Sequence, residues 1–464
     1  MAASIPFTIP FTIPFDTHLL FIGGAWRAAA GGQTLALDNP SDGSALARIA
    51  RSTAADIDDA VAAAHAALDG DWGRMTAAER GRVLGAIGRK VLDNVELLAM
   101  LEALDVGKPL KQGRADAIAL ARYLEFYGGA ADKVFGETLP FQNGYTALTL
   151  REPHGVTGHI VPWNYPMQIV GRSVGAALAM GNACVLKPAE EACLTVLAFA
   201  RIAHEAGLPA GALNVVPGLG VEAGAALAAH PGVRHLSFTG SVATGRLVQT
   251  AAAQNAVPVT LELGGKSPQI VFADADLDAA LPSLVNAGIQ NAGQTCSAAS
   301  RILVERSVFE QVRERMAERY RRLSIGPAVL DLDMGPVISK RQQGIVEHFL
   351  ALGRDSGLAI AAQGEVPADT PRGGFYVRPT LFDDVPADHP LAQQEIFGPV
   401  QVLIAFEGEA QALHPRRRWI ARVAPRCKAR RNNLSASMPS FPLQARLNRR
   451  TKRTAARSSL SREP

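Results

Sequence analysis

The chain has 464 residues, 48% apolar and 19% charged, enough to bury a large core and too apolar for wholesale disorder. At the usual domain size it divides into more than one domain, and no apolar run approaches the roughly 20 residues of a bilayer-crossing helix. The net charge of +4 is unevenly held: residues 414–464 carry 15 Lys and Arg against one acid, leaving −10 on the preceding 413 residues. Basicity therefore belongs to the end of the chain, and no nucleic-acid partner is expected for the body. Four cysteines (Cys184, Cys193, Cys296 and Cys427) are too few for a disulfide scaffold and lack the paired spacing of a structural zinc site. They fit a reducing, cytoplasmic compartment.

In chain order, Ile-Pro-Phe-Thr recurs from Ile5 to Phe15, and its prolines break any signal-peptide helix, so residues 1–17 read as a loose low-complexity arm. Ile57, Val61, Ala64 and Leu68 keep a helical period that stops at Gly70. Thr76 and Glu79 have capping-box spacing, and the apolar face from Val83 to Leu101 predicts one helix running to Gly107. Asn143-Gly144 before the alternating Tyr145–Leu150 predicts a hairpin within 136–153. Short strand-like runs then alternate with Ala-rich helical stretches: Val156–Val161, Ala183–Leu186, Leu213–Val216 and His235–Phe238. That alternation predicts βαβ units and a parallel sheet, and a second α/β region begins near Thr260. After about Leu413 the pattern stops; the last 51 residues have no glycine, no aspartate and no sustained period, a texture that reads as out-of-frame translation.

Candidate chemistry sits at the ends of these strands. Cys296, in Gly293-Gln294-Thr295-Cys296-Ser297, is a nucleophile if its loop lowers the thiol pKa, and a structural cysteine otherwise. Glu262 ends the apolar run from Val257, where burial would raise a carboxylate toward the pKa of a general base, with a structural salt bridge as the alternative. Asn164, between Pro162 and Pro166 after a strand, can donate to an oxyanion or simply form a turn. Gly218, Gly220 and Gly224 are one residue too widely spaced for the dinucleotide fingerprint. Gly240-Ser241, between a strand and a helix, can meet a pyrophosphate, and Lys187 and Glu190 can hydrogen-bond a ribose.

In their joint order, Pro-Trp-Asn, Leu-Lys-Pro-Ala-Glu, Phe-Thr-Gly-Ser, Glu-Leu-Gly-Gly-Lys-Ser-Pro, Gly-Gln-x-Cys and Glu-Ile-Phe-Gly-Pro resemble the NAD(P)-dependent aldehyde dehydrogenase superfamily over residues 18 to 413. The resemblance implies an α/β fold with a Rossmann-type cofactor domain (18–135 and 154–261), an oligomerisation hairpin (136–153) and an α/β catalytic domain (262–413). It implies a small-molecule aldehyde as substrate, oxidised to the acid through a Cys296 thiohemiacetal and thioester. Asn164 would hold the oxyanion and Glu262 would activate water. It implies Lys187 and Glu190 at the adenine ribose, Trp163, Gly240 and Ser241 at the pyrophosphate, with Gly218 and Gly220 nearby. Glu395 and Phe397 would meet the nicotinamide end. Glu190 favours NAD over NADP, since a carboxylate accepts from a 2′-hydroxyl and repels a 2′-phosphate. No metal is implied, and the family assembles as dimers or tetramers. Met167, Gln168, Gly171, Thr295 and Ser297 would line the substrate funnel. The sequence departs from the family in carrying Ser173, beside Arg172, where many relatives have a lysine. After Leu413 it lacks the family's closing strands, which implies an inactive or poorly soluble remnant as the alternative to an active enzyme.

Overall fold

The computed structural model describes residues 11–412. The first repeats of the arm, Cys427 and the basic end lie outside the described residues. Helix and strand periods fall largely where local chemistry puts them. Ile57, Val61 and Ala64 are buried on a helix, Ala54–Asp69, that ends at Gly70. The Thr76 hydroxyl accepts from the Glu79 N–H at 3.3 Å, and the Glu79 carboxylate accepts from the Thr76 N–H at 2.8 Å, starting the helix Ala77–Asp93. The single long helix expected beyond it is two: the chain breaks at Asn94 and resumes as Val95–Asp105. A further helix, Leu110–Ala130, follows Gly107-Lys108-Pro109.

The arm is pinned where it is described. Phe11, Ile13 and Phe15 pack on the first core, the Arg201 guanidinium donates to the Pro14 carbonyl at 3.0 Å, and it also lies over the Phe15 ring. Apolar residues of the repeat gain more by covering a helix than by staying in water.

The four predicted strands form the parallel centre of a seven-stranded sheet. Its order is Val259–Leu263, His235–Gly240, Val156–Ile160, Ala183–Lys187, Leu213–Val215, then the antiparallel pair Leu20–Ile22 and Ala25–Arg27. Because the chain starts this parallel run at Val156–Ile160, builds outward to Leu213–Val215 and returns to His235–Gly240, the strand order reverses between Val156–Ile160 and His235–Gly240. Open α/β sheets bind ligands at the carboxyl ends of strands beside such a reversal. A second, five-stranded sheet holds Pro268–Val271, Arg301–Glu305, Val400–Phe406, Thr380–Phe382 and Ile360–Gln363 in that order. Each sheet has its own apolar core. The hairpin forms, shorter than predicted: Thr138–Leu139 pairs antiparallel with Ala147–Leu148, with Gly144 at positive φ in the connection.

Candidate active site

Trp163 and Asn164 leave the carboxyl end of Val156–Ile160, and Gly240-Ser241 leaves that of His235–Gly240, so both flank the reversal. Asn164 is buried, and its amide Nδ2 donates to the Gln294 carbonyl at 2.9 Å. The Asn291 amide donates back to the Asn164 carbonyl, also at 2.9 Å. An amide NH2 has two donors, so Asn164 can fasten the cysteine loop with one and serve an oxyanion with the other.

That loop is held in an unusual conformation. Asn291, Ala292 and Gly293 all have positive φ, and strain of this kind persists only where the surroundings impose it. The Gln294 side chain supplies two of those restraints, donating to the Asn291 carbonyl and accepting from the Ile338 N–H, each at 2.9 Å. The Thr295 hydroxyl meets the Tyr165 hydroxyl at 2.8 Å. A Cβ on Gly293 would lie 2.1 Å from the Gly398 carbonyl oxygen, so only glycine lets the cysteine loop touch Glu395-Ile396-Phe397-Gly398-Pro399. Phe397, itself at positive φ, sets its ring edge against Trp163 at 5.3 Å.

Cys296 is exposed, whereas Cys184 and Cys193 are wholly buried. Burial pushes the Cys184 thiol up to about 12 and raises Cys193 as well, which makes both poor nucleophiles. The Cys296 thiol is raised rather than lowered: partial burial outweighs the Arg172 guanidinium, and the Glu395 and Glu262 carboxylates push the same way. Cys296 therefore rests as a thiol. Its neighbouring cation is Arg172, while the Ser173 hydroxyl is spent on the Ile169 carbonyl at 2.8 Å.

Glu262 departs from expectation too. Its strand, Val259–Leu263, is the edge of the sheet, and the side chain is exposed rather than buried. The following glycines carry Glu395: the Gly265 N–H donates to its carboxylate at 3.0 Å, and a Cβ on Gly264 would fall 1.9 Å from the same carboxylate. Lys266 is buried with no hydrogen-bond partner on its ammonium, and burial lowers it to about 7.

The nucleotide candidates gather at the neighbouring strand ends. Lys187 is buried and donates to Glu190 at 2.7 Å. Glu190 also accepts from the Gly220 N–H at 3.4 Å. Burial would raise the Glu190 carboxyl, but Lys187 outweighs it and holds the group below its ordinary range. The two loop glycines separate in role. A Cβ on Gly218 would crowd the Ser52 backbone at 3.0 Å, so its packing accounts for that residue, whereas Gly220 faces open space. The Ser241 hydroxyl is an N-cap, accepting from the Thr244 N–H at 3.1 Å, and leaves the exposed start of helix Val242–Ala253 as the anion-facing feature. A Cβ on Gly240 would strike the Phe238 ring at 2.6 Å. Of the proposed funnel residues, Met167 is buried in the first core, and Gln168 is half-buried and tied to Asp116. Sequence reasoning missed Tyr165, Arg172 as the cation beside the thiol, and the clamping side chain of Gln294, although Gln294 lay inside a quoted motif.

Among the described residues no helix is long and apolar enough to cross a membrane. Residues 26–415 match the family profile described as the aldehyde dehydrogenase family. The chain is 42% identical over 389 residues to hydroxyisobutyraldehyde dehydrogenase of Mycolicibacterium austroafricanum, covering 84% of this chain and 77% of that one. It is 39% identical over 393 residues to human retinal dehydrogenase 2, covering 84% and 75%. Among solved structures, the NAD+ complex of an aldehyde dehydrogenase from Bacillus cereus superposes with a TM-score of 0.84 at 38% identity, covering 87% of this chain and 82% of that one. A Burkholderia cenocepacia protein classed with the aldehyde dehydrogenases gives 0.85 at 62% identity, covering 85% and 83%.

Proposed function

The chain belongs to the aldehyde dehydrogenase family, and from that premise we propose that it oxidises a small aldehyde to the acid with Cys296 as nucleophile and NAD as cofactor. The observation that carries this reading is an exposed thiol on a strained loop, tied by Asn164 to the reversal point of a parallel sheet.

The Cys296 Sγ, once deprotonated, attacks the carbonyl carbon and forms a thiohemiacetal. Its oxyanion takes hydrogen bonds from the remaining amide N–H of Asn164 and the backbone N–H of Cys296. When bound, NAD supplies the hydride acceptor that makes the adduct a thioester. Glu262 then takes a proton from water, the hydroxide adds to the thioester carbon, and the C–S bond breaks to release acid and thiolate. The exposure of Glu262 suits this role, since the base must meet water and pass its proton on.

The residues present fit the cofactor. The space before Gly220, the exposed helix start at Val242 and the Lys187–Glu190 pair lie together at the strand ends beside the reversal. In this reading the seven-stranded unit, residues 18–135 with 154–261, holds the nucleotide, and residues 262–413 supply the thiol. Lys187 and Glu190 would hold the adenine ribose, the helix start at Ser241 the pyrophosphate, and Glu395 with Phe397 the nicotinamide end, with Trp163 bracing Phe397. Glu190, ionised beside Lys187, disfavours the 2′-phosphate of NADP.

The test is NADH formation from a panel of aldehydes. Cys296→Ala is expected to abolish it and Cys184→Ala to spare it, and kcat/KM with NAD is expected to exceed that with NADP. Loss of turnover in Cys184→Ala with retention in Cys296→Ala would reverse the assignment of the nucleophile. A preference for NADP would overturn the role of Glu190.

A further inference from the structure

Parallel sheets covered on both sides normally present apolar residues to each face. One face of the first sheet does not over its three strands Val259–Leu263, His235–Gly240 and Val156–Ile160. Register pairs His235 with Thr157 across one strand boundary and Thr239 with Glu262 across the next. Successive side chains alternate between faces, so Thr157, His159, His235, Thr239, Thr260 and Glu262 share one face. All six line a single cavity of about 950 Å³, closed on the far side by the helix Pro166–Ala179. Its mouth is open: Val134, Leu150 and His154 on its rim are exposed.

Within it the polar groups are linked. The His235 Nε2 meets the Thr260 hydroxyl at 3.1 Å, and the His159 Nε2 meets the Thr157 hydroxyl at 2.9 Å. His159 is wholly buried, yet its Nδ1 has no protein partner. The His154 and His235 rings stack at 5.0 Å. Thr260 and Glu262, two residues apart on one strand, have Cα atoms about 7 Å apart and side chains on one face, so their oxygens can share a bridging water. Among the described residues no three ligating side chains come together as a metal site. The other charged groups facing the cavity are Arg80, Arg151, Glu152 and Arg172.

We propose that this cavity is the exit for the proton that Glu262 takes from the attacking water, with His235, reached through the Thr260 hydroxyl, as its relay to solvent. The inference rests on Glu262 being the base that hydrolyses the thioester. The water gives one proton to Glu262 and its oxygen to the acyl carbon. Glu262 gives that proton to the bridging water, the water passes one of its own to the Thr260 hydroxyl oxygen, Thr260 passes its hydroxyl proton to His235 Nε2, and the imidazolium releases one to the open mouth. Nothing is oxidised or reduced in these steps. Burial, and the neighbouring His154, lower the basicity of His235, so it stands neutral and ready to accept. Ser173, bonded to its own helix, offers no titratable group for the task.

The test isolates deacylation and needs no cofactor. The full chain is acylated with p-nitrophenyl acetate, which transfers acetyl to the Cys296 Sγ and releases p-nitrophenolate, and the decay of the acetyl-enzyme is followed by intact-mass spectrometry. His235→Gln and Thr260→Val are each expected to acylate at the parent rate and to lengthen the acetyl-enzyme lifetime roughly tenfold to a hundredfold, up to the lower end of general acid–base effects, since the relay acts behind the base itself. Added imidazole, small enough for the cavity, is expected to restore the His235→Gln lifetime and leave that of Glu262→Gln long. An unchanged lifetime in His235→Gln overturns the route and leaves the polar face as a seat for another polypeptide segment. An unchanged lifetime in Glu262→Gln, or absence of an acetyl-enzyme dependent on Cys296, overturns the proposed function instead, and the route with it.

Discussion

Tyr165 joins two parts of the molecule that the linear motifs keep separate. Its hydroxyl meets Thr295, next to the nucleophile, while the Lys108 ammonium lies 4.1 Å from its ring centroid. Burial pushes the phenol up to about 12, so it acts only as a neutral hydrogen-bonding group. Tyr165→Phe keeps the ring, the cation over it and the packing, and removes one hydrogen bond from the cysteine loop. A hydrogen bond of this kind contributes about 1 kcal/mol, and a barrier rise of about 1.4 kcal/mol is a tenfold loss in rate. The variant is therefore expected to lose up to about tenfold in kcat while its melting temperature moves by only a few degrees. A fall in melting temperature with unchanged kcat would make Tyr165 a packing residue and nothing more. Gly293 makes the complementary point: the Gly398 carbonyl oxygen lies closer than any Cβ tolerates, so this glycine lets the cysteine loop meet the segment that carries Glu395 and Phe397.

At the scale of elements, the turn after Val95–Asp105 buries an ionic cluster. Lys108 bridges Glu102 and Asp116, all wholly or nearly buried, and Asp105 accepts the Leu194 N–H at 3.0 Å at the start of helix Leu194–Glu205. Burial pushes the Asp105 carboxyl up to about 7 from an ordinary value of 3.8, the Leu194 N–H and Lys108 opposing. An acid whose pKa is higher in the folded state keeps its stabilising contribution below the unfolded pKa and loses it as pH rises through the folded one. Asp105→Asn keeps an acceptor for Leu194 and cannot ionise. Its melting temperature relative to the parent is expected to climb between about pH 4 and pH 7 and then level off. A difference independent of pH would mean that Asp105 is already ionised throughout. None of this cluster was legible from periodicity, because its members come from two helices and the turn between them. What was legible was local: the Gly70 stop, the Thr76–Glu79 box and the strand runs, each set by neighbours in sequence. Glu262 was misjudged for a non-local reason, since an apolar run does not reveal whether its strand lies in the centre of a sheet or at its edge. The crowding that makes position 218 a glycine was hidden likewise, since its neighbour Ser52 is far away in sequence.

At the scale of the molecule, the two sheets bury their own cores while the hairpin remains uncovered. Phe135 is 73% exposed, Phe141 65%, Tyr145 70%, Leu148 56% and Leu150 73%, all within one short segment. Scattered apolar residues on a surface need no explanation, but a contiguous group on a two-stranded ribbon with unpaired outer edges invites another chain. The family match ends at residue 415, and the matched part covers 77% and 75% of the two relatives compared above. The family resemblance implies that this hairpin serves oligomerisation, and the exposed apolar group is what such a role would use. A stable interface buries about 1,200–2,000 Å² in total, and apolar area contributes roughly 25 cal/mol per Å², so removing two large side chains from each copy should weaken association strongly. Phe141→Ser combined with Leu148→Ser is expected to shift the light-scattering mass toward the monomer across a dilution series. Its far-UV spectrum should stay unchanged, because both side chains lie outside the two cores. If the doubly substituted chain associates at the parent's concentration, the contact lies elsewhere and the exposed ribbon is not what joins the copies.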